Sequence, residues 1–261
     1  MNIVTCIGSY RRNGNTARLI NLIAEALAKE AANHGEPLAV EIIYLGHQEI
    51  DMCRGCRICF DRGEDKCPLK DDLLSIKEKI RAADGLILAS PVYVNDVSGI
   101  TKNWIDRLAH VCHRPEFAGK CAYALATVGD GPTNHALKTM ATALNLWGFY
   151  TVGSAGFKTG ALMKQDQLEA LYQKEAGSIA KALFHAIHHR QFNKPSFLSL
   201  LTFKIQQRYW QQYSGKSIDY LYWKNQGWIE PEREYYLNHQ ANPAKVTLAR
   251  VAGALMAPFV T

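Results

Sequence analysis

The first 160 residues alternate short β-branched runs with amphipathic stretches at helical spacing, and few folds accommodate that rhythm. Asn2–Ile7 predicts a strand, Asn15–Asn33 a helix with Ile20, Ile23, Ala24 and Leu27 on one face, and Ala39–Leu45 a second strand. A helix from about Asp71 to Ala83, a strand over Gly85–Ser90 and a helix near Thr101–His110 follow. Strands over Lys120–Val128 and Tyr150–Ala155 enclose a helix over Asn134–Trp147, and Gln165–His189 predicts a closing helix. Parallel strands need crossover connections, so a βαβα series points to a parallel sheet with helices on both faces.

Five strands suit a flavodoxin-like three-layer sandwich, sheet order 2-1-3-4-5, better than a six-stranded dinucleotide fold. That domain is expected over residues 1–190. Residues 191–261 are aromatic-rich and strand-poor, with Phe203, Trp210, Trp223, Trp228, Tyr235 and Tyr236 among them. They predict a helical extension without a core of its own, packing on the domain or on a partner subunit. Ala244–Ala257 within it is amphipathic and suits docking onto another subunit. The net charge of +6 is mild and its basic residues are scattered, so cofactor phosphates suit it better than nucleic acid. No basic leader with an apolar stretch opens the chain, and no apolar run reaches the roughly 18 residues of a spanning helix. A cytoplasmic protein is expected.

Four of the seven cysteines, Cys53, Cys56, Cys59 and Cys67, lie in one short segment spaced C-x2-C-x2-C-x7-C and followed by Pro68. In a reducing compartment such a run indicates metal or redox chemistry rather than disulfides. It is close to the bacterial iron–sulfur run, with a longer final gap that lets the fourth thiolate fold back onto the same centre. A [4Fe–4S] cluster, a zinc ion and an empty solvated loop are the alternatives. Arg54, Arg57, Arg62 and Lys66 would stabilise thiolates in any of them. Cys6, Cys112 and Cys121 fall on strand or helix patterns as core thiols.

After the first strand, Gly8-Ser9-Tyr10-Arg11-Arg12-Asn13-Gly14-Asn15-Thr16 opens a helix. Strand, small-residue loop and helix N-terminus make an anion site, because free amide N–H groups and the helix dipole aim at one point. The nucleotide-binding G-x4-G-K-[ST] and G-x-G-x-x-G patterns are both missing, which favours a terminal monophosphate. The alternative is a polar turn with Asn15 or Thr16 capping the helix. The third strand ends in Ser90-Pro91-Val92-Tyr93-Val94-Asn95, where Tyr93 offers a ring face, and Thr127-Val128-Gly129 follows the fourth strand. Both lie at the sheet edge where open α/β sheets bind ligands. Trp104 reads as core, His110 and His113 as surface positions, and His185, His188 and His189 as a polar helix end or a metal pair.

Taken in order, Gly8-Ser9-x-Arg11-x-x-Gly14-Asn15-Thr16, the cysteine loop closing on Lys70-Asp71-Asp72, and Ser90-Pro91-Val92-Tyr93 with Lys102 and Asp106-Arg107 form a pattern. It resembles the NAD(P)H-dependent FMN reductase group, and within it the iron–sulfur flavoprotein branch. The resemblance covers residues 1–160 and leaves the extension outside. It implies FMN at the carboxyl ends of the strands, in a homodimer or homotetramer that shares the flavin pocket. By position, Ser9, Arg11, Asn13, Asn15 and Thr16 hold the phosphate. Pro91, Val92, Tyr93, Val94 and Asn95 line the isoalloxazine, and Thr127, Val128 and Gly129 its other edge. A [4Fe–4S] cluster would sit on Cys53, Cys56, Cys59 and Cys67. The expected activity is electron transfer from NAD(P)H to a quinone, nitro compound, flavin or iron complex. The alternative is a carrier or sensor reduced by a ferredoxin-like protein. No side chain need act as a nucleophile, since the flavin does the chemistry.

Overall fold

The computed structural model describes residues 1–160, 163–213, 215 and 217–259. Its elements are β1 (Asn2–Ile7), α1 (Asn15–Asn33), β2 (Ala39–Tyr44), α2 (Ile58–Asp61), α3 (Leu73–Ala82), β3 (Gly85–Tyr93), β4 (Asp96–Val97) and α4 (Gly99–Arg107). After these come β5 (Cys121–Val128), α5 (Asn134–Leu146), β6 (Tyr150–Lys158), α6 (Gln165–His188), α7 (Phe197–Gln212), α8 (Ile218–Asn225) and α9 (Pro243–Met256). The parallel strands run β2-β1-β3-β5-β6, with β4 hairpinned onto β3. Leaving the hairpin aside, this is the expected 2-1-3-4-5 order.

Side chains alternate across the sheet as strand geometry requires. Val4, Cys6, Leu86, Leu88, Ala122 and Ala124 face a core shared with α3, α4 and α5. Ile3, Ile7, Ile87, Ala89 and Leu125 face the opposite core, closed by α1 and α6. Both layers hold fully buried aliphatic side chains, each worth about 1.5–3 kcal/mol of transfer free energy. Trp104 is a core residue as expected, wedged edge-on against Trp147. Cys6 and Cys121 are buried, whereas Cys112 is only half-buried.

Three expectations are corrected. The third strand continues beyond Ser90, because Pro91 pairs in register with Thr127 and Val92 and Tyr93 turn back onto β4. Proline lacks a donor but its carbonyl still serves an adjacent strand, so it does not end this one. The fourth helix stops at Arg107 and gives way to a tight 3-10 turn over Ala109–Cys112. That change of pitch swings His110 into the interior, where it is 0% exposed rather than on the surface.

The extension, too, departs from its reading. Phe203, Trp210, Trp223, Trp228, Tyr235 and Tyr236 form a core of their own, with Phe203 stacked on Trp223. Buried Gln207 reaches the carbonyls of Trp228, Glu230 and Arg233 and so fixes the chain between α8 and α9. Docking on the domain is polar: Trp223 Nε1 donates to His113 O at 2.7 Å, and Gln206 donates to Cys112 O at 2.9 Å.

Candidate functional site

At the carboxyl edge of the sheet, β1 runs into a loop ending at Gly14, the N-cap of α1. Glycine offers no side chain, so the first-turn N–H groups of α1 lack a capping acceptor. Ser9 is buried, and its Oγ accepts from Arg11 N at 3.0 Å, which sets the loop's curvature. The side chains of Asn15 and Thr16 are used structurally. Thr16 Oγ1 lies 2.6 Å from Thr127 Oγ1, and Asn15 Nδ2 donates to Thr159 Oγ1 at 2.9 Å and to Gly160 O at 3.0 Å. These bonds lash the helix start to the ends of β5 and β6. What the two residues leave open to an anion is their backbone. Arg11 and Asn13 are exposed at the rim.

The β3–β4 hairpin turns through Val94 and Asn95, both at positive φ (49° and 69°). Two consecutive left-handed residues make the tight hairpin whose twist matches the strands. Asn tolerates that conformation; a β-branched Val there is strained. Tyr93 is more than half exposed and Val94 fully so. Beneath them lies a buried hydroxyl network. Ser98 caps α4 and donates to Gly8 O at 2.7 Å, Thr101 donates to Ser90 Oγ at 3.1 Å, and Ser98 N donates to Ser90 Oγ at 3.0 Å. A Cβ at Gly8 would lie 1.7 Å from Thr101 Oγ1, so only glycine lets β1 approach α4 this closely.

Above this floor opens a cavity of about 510 Å³, lined by Ser9, Tyr10, Arg11, Met52, Tyr93 and Asn103 among others. Cofactor sites commonly span about 300–1,000 Å³. The Ser9 hydroxyl, the Arg11 guanidinium and the exposed Tyr10 and Tyr93 rings, with Met52, all border it. Hydroxyl and cation beside exposed ring faces suit a molecule that carries both a phosphate and a flat ring system, as FMN does. Arg11 also borders a second opening with Asn13, Gly14 and Asn15. Among the expected flavin contacts, Ser9, Arg11 and Tyr93 line the main cavity. Val92 is half-buried against the core, Thr127 and Val128 are buried, and Gly129 is exposed and accepts from Gly160 N at 3.0 Å. Pro91, Val94 and Asn95 shape the hairpin rather than the cavity wall.

One residue along from Met52, the chain enters a neighbouring cavity of about 330 Å³ lined by Cys53, Cys56, Cys59 and Cys67 together. Cys53 and Cys56 are exposed, and Cys59 and Cys67 half-buried. Burial, reinforced by the nearby Cys67 thiol, pushes the Cys59 thiol up. Arg57, in the left-handed conformation, and Gly63 at φ 104° turn the loop so that the sulfurs share this space. Tetrahedral zinc at a Zn–S distance near 2.3 Å draws its sulfurs to within about 4 Å of one another. Among the described residues, the sets of three or more ligand atoms within 4.8 Å of each other are Glu30/His34/His185 and Glu64/His110/Glu116, and neither holds a cysteine. The four thiols thus share one cavity without forming such a compact set.

Two buried arginines hold this loop. Arg107 donates to both Asp71 oxygens, at 2.6 and 3.1 Å, and to Asp51 O at 2.7 Å. Burial alone would raise the Asp71 carboxyl, but Arg107 and the Asp51 and Leu73 amides outweigh it and hold it low. Arg114 donates to Cys59 O (2.8 Å), Glu64 Oε2 (3.1 Å) and Asp219 Oδ1 (2.5 Å). One guanidinium thus joins the cysteine loop to α8 of the extension. Buried Lys77 donates to Glu64 at 2.6 Å and Glu116 at 3.0 Å, filling the position a cation would take between them. Burial disfavours the Glu64 carboxylate, yet Lys77 and the loop backbone hold it at about 2. His110 borders the cysteine cavity with neither ring nitrogen hydrogen-bonded among the described residues. Burial, opposed by Glu64, pushes it down to about 3, so it is neutral.

Asn103 was not singled out in the sequence, and it bridges the two cavities. Its Oδ1 accepts from Cys53 N at 3.0 Å, its Nδ2 donates to Asp51 O at 3.1 Å, and it lines the larger cavity. Arg114 and Asp219 were also missed; 105 residues apart, they share no local pattern.

The fold and its paired cavities define a flavin-dependent oxidoreductase of the parallel α/β type. A family model described as NADPH-dependent FMN reductase matches residues 1–161, and the chain belongs to that family. An iron-sulfur flavoprotein of Archaeoglobus fulgidus is 31% identical over 232 residues, covering 88% of this chain and 100% of that protein. Its match runs past residue 190 into the extension, while the family model ends at residue 161. An iron-sulfur flavoprotein of Methanosarcina thermophila is 27% identical over 198 residues, covering 74% of this chain and 99% of its own length. Among solved structures, an oxidoreductase from Corynebacterium diphtheriae superposes with a TM-score of 0.54 at 20% identity, covering 72% of this chain and 98% of that one. RosB with a bound flavin-derived intermediate gives 0.57 at 14% identity, covering 73% and 80%. Both show the fold.

Proposed function

We propose that this oxidoreductase takes electrons from NAD(P)H through FMN to a small acceptor, a quinone, nitro compound, free flavin or iron complex. We further propose that Cys53, Cys56, Cys59 and Cys67 hold a [4Fe–4S] cluster beside the flavin. One observation carries this reading: the two cavities are neighbours, separated by the step from Met52 to Cys53 and bridged by the Asn103 amide. When bound, FMN supplies hydride acceptance and one-electron release, and the cluster supplies one-electron transfer.

The chain's own residues do the rest. The uncapped first turn of α1 and the Arg11 guanidinium receive the phosphate dianion, with Ser9, Asn13, Asn15 and Thr16 shaping the loop. Tyr93, presented by the hairpin of Pro91 to Asn95, would offer its ring to the flavin, and Thr127 to Gly129 would support the loop behind it. Arg107 and Arg114 fix the cysteine loop and place positive charge near thiolates, which favours an anionic cluster. The helices α7 to α9 act as a unit that buttresses that loop through Asp219. The exposed Tyr93–Val94 tip suits a homodimer or homotetramer with a shared flavin pocket. Among the described residues no helix is long and apolar enough to cross a membrane.

Anaerobic oxidation of NADPH and NADH by the flavin-loaded chain, with a quinone as acceptor, tests the reading. Turnover with either nucleotide is expected. A bound flavin that neither nucleotide reduces, but a reduced ferredoxin does, would replace the enzyme with an electron carrier.

A further inference from the structure

We propose that the end of the molecule remote from the flavin, where α1 and α6 finish side by side, binds a divalent transition-metal ion through Glu30, His34 and His185. The site is separate from the cysteine loop: α1 alone puts about 22 Å of helix between Glu30 and the phosphate loop.

The two helices pack along one face of the sheet, and each brings a pair of ligand-bearing residues four apart to the same place. Glu30 and His34 stand on the last turn of α1; His185 and His189 stand on the last turn of α6, their rings stacked 5.4 Å apart. Residues four apart on a helix lie one above the other, so the two pairs face each other. A ligand atom from each of Glu30, His34 and His185 lies within 4.8 Å of the others. His185 Nε2 is 3.3 Å from Glu30 Oε1, and the His34 and His185 rings meet edge to face at 5.5 Å.

Three further features favour a cation here. Both helices end at this point, and their dipoles add negative potential. His34 Nδ1 faces the Glu30 carbonyl oxygen at 2.9 Å. A proton given by Nδ1 to that carbonyl leaves Nε2 as the ring's acceptor, and Nδ1 itself lies 3.9 Å from the Glu30 carboxylate. His188 lies beside this set, with Nδ1 2.9 Å from Glu36 Oε1, adding a second carboxylate and imidazole. The imidazole and carboxylate donors select zinc, nickel or copper over the oxygen-loving magnesium and calcium. His189, or water, would complete a tetrahedron. An ion so held would clip α1 to α6.

Calorimetric titration of Zn²⁺ into the flavin-loaded full chain tests this, because the cysteine loop is a competing zinc ligand with its own control. His34→Ala/His185→Ala is expected to abolish or weaken one Zn²⁺ event by more than about 100-fold, beyond the 10–100-fold loss of an outer-shell partner. The Cys56→Ser/Cys59→Ser protein should retain that event. Zn²⁺ should also raise the Tm of the cysteine variant, and not that of a protein carrying the cysteine and histidine substitutions together, since ligands that bind the folded state stabilise it. Zn²⁺ binding that is lost only with the cysteines, or unchanged by the histidine substitutions, would leave a plain histidine–glutamate ion pair and overturn the proposal.

Discussion

Asp219→Ala tests whether the extension supports the cysteine loop. The carboxylate is buried, accepting from Arg114 Nη1 at 2.5 Å and facing His113 Nδ1 at 2.8 Å. Removing it leaves the Arg114 guanidinium buried, with Glu64 Oε2 and Cys59 O as its remaining partners. Breaking a buried pair from one side costs about 3–5 kcal/mol, and the surviving partners put this case near the lower bound, about 3 kcal/mol. A chain of this size loses about 2–4 °C of Tm per kcal/mol, so a fall of roughly 6–12 °C is expected by calorimetry. Arg114 grips the loop at Cys59 and touches no wall of the larger cavity. Iron per chain after gel filtration should therefore fall while FMN per chain holds. Asp219→Asn, which keeps a neutral acceptor, should lose less of both stability and iron. A Tm within about 2 °C of the parent, or iron and FMN lost in equal proportion, would refute the buttress.

Other outcomes follow from single residues. Cys59→Ser should abolish bound iron and acid-labile sulfide and leave FMN binding intact, read by metal and flavin assays on anaerobic protein. Val94→Asn should raise Tm by about 2–8 °C, because a fully exposed β-branched residue in the left-handed region stores about 1–2 kcal/mol of strain that Asn largely relieves. His110 is held down to about 3 from an ordinary 6.5, so the unfolded chain binds its proton first. The stability it confers is complete above about pH 6.5 and is lost as pH falls through that window toward 3, at up to about 1.4 kcal/mol per pH unit. His110→Phe should flatten that limb in urea unfolding between pH 6.5 and 5. Glu64, held at about 2, adds acid sensitivity of the same sign below about pH 4.5.

Patterns that repeat along the chain were legible in the sequence. Continuous apolar runs in β1, β3 and β5, interleaved with helical spacing in α1 and α5, mark a parallel sheet, since each strand must bury both faces under helices. The hairpin escaped because Pro91 reads as a strand end and Val94-Asn95 lacks the usual glycine of a left-handed turn. His110 was misread because its burial depends on where α4 stops, and a helix continued past Arg107 would have turned it outward. The extension's core is assembled across three helices and a loop, so spacing within any one of them carried little of it. Asn15 and Thr16 were marked as site residues, but which of their atoms face the cavity is decided by Thr127 and Thr159, more than 100 residues away.

Chemical assay of anaerobically purified protein, for FMN, iron, zinc and acid-labile sulfide on the same sample, bears most directly on paired redox centres in adjoining cavities. The account predicts FMN together with iron and sulfide in equal amounts, and visible absorption beyond that of the flavin alone. FMN with zinc and no sulfide, or FMN with no metal, would contradict it.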